Sequence, residues 1–177
     1  MHLSNISSAQ QPYPWKRDTL IGENKYRIYN NWLTAGTGWC HNFSYGRDQF
    51  NLNMDYYFHI TDKYFQLGLF FSGNAFRNYN NYNFHVGYGK RIESTAINLS
   101  YFGGVSFSTG YKKSGTQTES DPFSEPGIFG QVEYIRKIKY DVGIGAGLFA
   151  DANLLQTIAG LKFVVYFSGA FKGKKSS

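Results

Sequence analysis

Asp55, His59, Glu133 and Lys162 are residue types that move protons or hold substrates: two carboxylates, an imidazole and an amine. Such groups act as general acid and base only within hydrogen-bond reach of a reacting atom. In a narrow interior they would instead pair with one another, because an isolated buried charge is expensive. The expected role of these four is therefore a structural polar network. His41 and Ser44 supply a base and a nucleophile, but residues three apart in a strand face opposite sides, so no activation is expected without a bulge or loop. His59 and His85 share a strand phase, yet two histidines without a defined carboxylate partner are weak grounds for zinc or iron. The single Cys40 excludes an internal disulfide and a thiolate metal cluster. Gly143, Gly145 and Gly147 resemble a phosphate loop in spacing, but apolar residues alternate straight through them with no helix to follow. No catalytic residue, cofactor or metal ligand is expected.

The elements that place these residues are strands. The 177 residues include 16 Phe, 15 Tyr, 3 Trp and 20 Gly but only 4 Pro, a profile that opposes disorder and a helical bundle. Over 50–60, Phe50, Leu52, Met54, Tyr56, Phe58 and Ile60 alternate with Asn51, Asn53, Asp55, Tyr57 and His59. That period of two defines one greasy and one polar face. It recurs through Leu67 and Leu69, through Phe84 and Val86, through Leu99 and Val105, and through Ile144 and Leu148. Weaker members over 33–43, 128–135 and 156–171 bring the count to eight, and an even number permits up-and-down closure. Compact turns are expected at 61–63, 90–93 and 136–139, with longer connections at 74–81 and 110–126. This asymmetry matches a membrane barrel with short inner turns and longer outer loops.

Periodicity alone leaves open whether the greasy face looks inward or into lipid. A polar face rich in Gly, Ser and Asn suits a narrow lumen better than a soluble exterior, which would carry more Lys and Glu. The greasy face carries no charge in the five clearest strands, and charge near the bilayer midplane costs ~2–4 kcal/mol. Aromatic residues near strand ends, Trp32, Trp39, Tyr64, Tyr82, Tyr111, Tyr134, Phe167 and Phe171, are placed for an interfacial girdle. The last strand presents Leu161, Phe163, Val165 and Phe167 on one face. The reading is all-β, an eight-stranded antiparallel up-and-down transmembrane barrel with a narrow polar lumen. Leu52, Met54, Phe58, Leu67, Leu69, Phe84, Val86, Leu99, Val105, Ile144, Leu148, Phe163 and Val165 face lipid, and Asp55, His59, Glu133 and Lys162 face the lumen.

On this patterning and the C-terminal aromatic strand, residues 33–171 resemble the small eight-stranded outer-membrane barrels of Gram-negative bacteria, the OmpA transmembrane-domain and OmpX-like class. The Tyr, Phe, Asn and Gly usage looks most like barrels of the Bacteroidota. The resemblance implies a bacterial outer-membrane location, with membrane lipid and other outer-membrane or periplasmic proteins as partners. It differs in that Lys172 to Ser177 follow the terminal aromatic, and the peptidoglycan-binding function of the longer OmpA relatives is not expected. Some barrels of this class modify lipid, which leaves that activity as an alternative; a soluble lipocalin-like carrier of an apolar ligand is another. An eight-stranded barrel is too narrow for a solute pore, so the expected role is a non-enzymatic structural or accessory subunit of a larger outer-membrane complex. The expected partner loop carries Lys112, Lys113, Glu119, Asp121 and Glu125. Residues 1–31 read as a signal-peptide remnant and irregular leader, 32–171 as barrel and 172–177 as a basic tail. The net charge of +6 does not choose a partner, and the basic residues cluster away from the aromatics, so no nucleic acid is expected.

Overall fold

The computed structural model describes residues 18–27, 30–74, 77–113, 120–169 and 171–174. Strands β1 (Asp18–Ile21) and β2 (Asn24–Arg27) form a hairpin ahead of the barrel. The barrel follows as β3 (Trp32–Asn42), β4 (Arg47–Ile60), β5 (Lys63–Asn74), β6 (Arg77–Glu93), β7 (Ile97–Lys113), β8 (Ser120–Lys139), β9 (Val142–Asn153) and β10 (Thr157–Ser168). Each pairs antiparallel with its neighbour in sequence, and β10 closes on β3 from Ile158↔Asn42 to Ser168↔Trp32. Strand β11 (Phe171–Lys174) then leaves the barrel and pairs with β2, making a three-stranded sheet, β1-β2-β11.

The alternation of the sequence becomes the two faces of the wall. In β4, Asn51, Asn53, Asp55 and Tyr57 are buried while Phe50, Leu52, Met54 and Tyr56 are exposed. Leu67, Leu69, Phe84, Val86, Val105, Ile144, Leu148, Phe163 and Val165 are exposed likewise, and Phe58 and Leu99 are half-buried on the same face. A large apolar exterior around a polar interior is the inverse of a soluble barrel. Leucine, valine and phenylalanine stay outside here because hydrocarbon, not water, is the solvent that suits them.

The structure corrects several sequence expectations. The stretch before the barrel carries β1 and β2 instead of an irregular leader, and Lys172 to Lys174 are strand instead of tail. The suggested signal remnant lies outside the described residues. Phe171 is not part of the last barrel strand, which stops at Ser168. The segments 90–93 and 136–139 are ladder, not turn; the inner reversals fall at 94–96 and 140–141. The long 110–126 connection is mostly hairpin: β7 and β8 pair as far as Lys112↔Asp121 and Lys113↔Ser120. Lys112, Lys113, Asp121 and Glu125 therefore belong to strands, and Glu119 lies outside the described residues. Two aromatics expected at the girdle, Trp32 and Tyr64, are instead buried inside the barrel.

The barrel is longest on one side. β6 pairs with β7 only as far as Asn81↔Gly110, and β9 with β8 only from Gly127↔Asn153, so the tip of the β7–β8 hairpin stands clear of both neighbours. It projects from the end opposite the β1-β2-β11 sheet. By the usual asymmetry of such barrels, the hairpin end is outer and the small-sheet end inner.

Candidate functional site

The candidate site is the lumen, and its centre is built on Lys162 of β10. The Lys162 ammonium donates to Asp55 Oδ2 at 2.7 Å, to Glu133 Oε1 at 2.7 Å and to Gln131 Oε1 at 3.0 Å. Strands β4, β8 and β10 are thereby tied together across the barrel. Asp55 Oδ1 accepts from Gln66 Nε2 at 2.8 Å and lies 2.9 Å from His85 Nε2, which adds β5 and β6. The Tyr57 hydroxyl donates to Glu133 Oε2 at 2.8 Å and accepts from Gln131 Nε2 at 2.7 Å. Every formal charge in this layer has an opposite partner, which is the condition for holding ions away from water. Gly68 makes room for it, since a Cβ there would sit 2.0 Å from His85 Nε2 and 2.2 Å from Asp55 Oδ1.

A second layer lies toward the inner end. The indole of Trp32 stacks on Tyr57 at 4.5 Å between centroids, and the Arg91 guanidinium covers it at 4.0 Å. Arg91 pairs with Glu93 at 2.7 Å and donates to the Tyr166 hydroxyl at 2.9 Å, while Lys137 pairs with the same Glu93 oxygen. Below it, Tyr140 of the 140–141 turn packs against Tyr26 of β2, and Tyr26 against Phe171 of β11. The small sheet thus covers part of the inner end.

Toward the outer end the lumen is lined by the amides of Asn53 and Asn83, the hydroxyl of Ser108 and the carboxyl of Asp151. Asn83 Nδ2 donates to Ser108 Oγ at 2.9 Å and to Asp151 Oδ2 at 3.0 Å. The cavity between this layer and Lys162 measures about 20 Å³, the space of a single water.

Asp55, Glu133 and Lys162 meet in one network, whereas His59 does not join it. Although on the polar phase, His59 lies past the end of the packed interior, where its Nδ1 is 3.2 Å from Thr61 O and its amide donates to Asn31 Oδ1. Sequence reading missed Tyr57, Gln66, His85 and Gln131 as network partners, and missed Arg91, Glu93 and Lys137 entirely. Extending the alternation of β6 past Tyr88 places Gly89, Arg91 and Glu93 on the lumen face, so the signal was present.

His41 and Ser44 are separated as strand geometry requires. His41 faces outward and its Nδ1 lies 2.8 Å from Asp48 Oδ1, while Ser44, in the 43–46 turn, accepts from the Thr157 amide at 3.1 Å. No hydrogen bond joins the two among the described residues. No group of three or more His, Cys, Asp or Glu residues that could hold a metal ion occurs among them either.

No protein-family model matches the chain, and no curated protein is similar to it in sequence. Its fold has clear likenesses among solved structures. Neisserial surface protein A (NspA) superposes with a TM-score of 0.64 at 10% identity, over 78% of this chain and 96% of that one. Ail, the attachment invasion locus protein of Yersinia pestis, gives 0.59 at 10% identity over 81% and 99%. The N-terminal β-barrel domain of Pseudomonas aeruginosa OprF gives 0.53 at 12% identity over 78% and 98%. At such identities the likeness is one of fold. The closed antiparallel barrel, the apolar outer wall and the polar lumen make the chain an eight-stranded transmembrane β-barrel of the small outer-membrane type. Its place is the bacterial outer membrane.

Proposed function

We propose that the chain is a non-enzymatic barrel subunit of a larger outer-membrane assembly, acting through surfaces instead of through its lumen. The observation that carries this reading is the filled interior. With Lys162 bound to Asp55 and Glu133 across the barrel and only about 20 Å³ left open above them, the wall encloses structure, not a pathway. A barrel that passes nothing works by what it anchors. Two features outside the barrel wall are available for that work: the β7–β8 hairpin at the outer end and the β1-β2-β11 sheet at the inner end.

Action on lipid is the competing reading. The exposed His41–Asp48 pair would favour it, but Ser44, the nearby nucleophile, is turned to the Thr157 amide. The test is purification of the tagged native protein from outer membranes in mild detergent after cross-linking. The expected result is a stoichiometric second protein, lost when residues 111–125 are shortened to a tight turn or when Tyr26→Ala loosens the inner sheet. Recovery of a solitary 20.2 kDa barrel that converts lipid, with conversion abolished by Ser44→Ala, would overturn the proposal.

A further inference from the structure

At the inner rim a cavity of about 660 Å³ opens between the small sheet and the barrel wall. Its apolar floor is a single rung of the sheet, Phe167 of β10 beside Leu33 of β3 beside Tyr56 of β4. All three are on the lipid-facing phase, so this floor is continuous with the outer wall of the barrel. Over this floor stand two exposed cations, Arg27 from β2 and Lys172 from β11.

We infer that this cavity binds the headgroup of one anionic glycerophospholipid from the inner leaflet. The phosphate sits against Arg27 and Lys172, and the acyl chains run up the wall over Leu33 and Phe167. Three properties agree on that occupant. The volume lies in the range of small-molecule sites. A pair of cations at the level where headgroups lie is the usual basis of phospholipid recognition between protein elements. The apolar rung continues directly into the lipid-facing wall, which a free anion would not use. The inference is independent of the accessory-subunit reading, because it needs only a barrel in a membrane.

The test is native mass spectrometry of the full chain, stripped of lipid in detergent and titrated with dioleoyl phosphatidylglycerol, with dioleoyl phosphatidylcholine and inorganic phosphate as comparators. The expected result is one retained phosphatidylglycerol per barrel. The Arg27→Ala/Lys172→Ala protein should hold it about twentyfold more weakly, since each cation near an anionic headgroup contributes a several-fold factor, and Lys172→Glu should weaken it alone. Lys63→Ala/Lys90→Ala, which removes two exposed cations outside the cavity, should leave binding unchanged, with unheated gel mobility confirming that every variant is closed. Equal retention by all variants, equal binding of phosphatidylcholine, or displacement by millimolar inorganic phosphate would overturn the inference.

Discussion

Lys162 is the residue on which the lumen turns, because two carboxylates from different strands depend on its one ammonium. Replacing it with methionine keeps the bulk but leaves Asp55 and Glu133 buried without a cation, a loss of about 3–5 kcal/mol for breaking a buried ion pair from one side. The midpoint of urea unfolding, followed by the shift in gel mobility, should fall accordingly in Lys162→Met. It should recover substantially when Asp55→Asn and Glu133→Gln are added, since the charges then leave together. An unchanged midpoint in Lys162→Met would mean that water reaches these carboxylates. Much of this residue-level arrangement was legible: the period of two places Asp55, Glu133 and Lys162 on one face. Their convergence was not, because strand phase gives the face of a residue but not its height, and height depends on the stagger of neighbouring strands. His59 shows the difference, with the correct phase and the wrong level.

Among the elements, the long barrel strands were legible and the short strands were not. β4 to β7 announce themselves by unbroken alternation, because one side must suit lipid and the other a crowded polar interior. β1, β2 and β11 have four residues each, too few to establish a period, and their stability comes from packing Tyr26 between Tyr140 and Phe171. The one local signal was Gly22, whose φ of 61° fits a two-residue hairpin turn between Ile21 and Asn24. Depth along a strand is testable by charge. Leu69, 52% exposed in the middle of β5, should cost ~2–4 kcal/mol as arginine, while Ile138, 66% exposed beside the inner turn, should cost ~0–1 kcal/mol. Folding into vesicles would measure both, and equal costs would contradict the placement of the belt. The inner sheet has its own reporter in Tyr140. Burial, reinforced by the Glu93 carboxylate and opposed by Arg91, raises the Tyr140 phenol above the ordinary tyrosine value. The unfolded chain therefore loses that proton first, and stability falls as pH rises beyond about 10. Between about pH 9 and 11 the melting midpoint should drop further in the native protein than in Tyr140→Phe.

At the scale of the whole molecule, fold class and membrane orientation of the two faces followed from the sequence, because solvent preference acts on every strand at once. Which end carries the short turns followed as well, but the length of the β7–β8 hairpin and the small sheet at the inner end did not, since each depends on how far individual ladders run. Purified protein in a planar bilayer should show no sustained conductance steps, as two layers of paired charge and stacked rings block the axis; stable ohmic openings would refute the filled lumen. The pairing of β2 with β11 has a further consequence, for the order of assembly. Before the barrel closes, these two strands are separated by the entire barrel sequence, and the entropy of closing so long a loop works against them. Once β10 lies beside β3, only residues 28–31 and 169–170 intervene on the two sides, and the same ladder becomes a local event. The small sheet is therefore a latch that engages last, and its formation marks the moment at which a nascent barrel becomes a finished one.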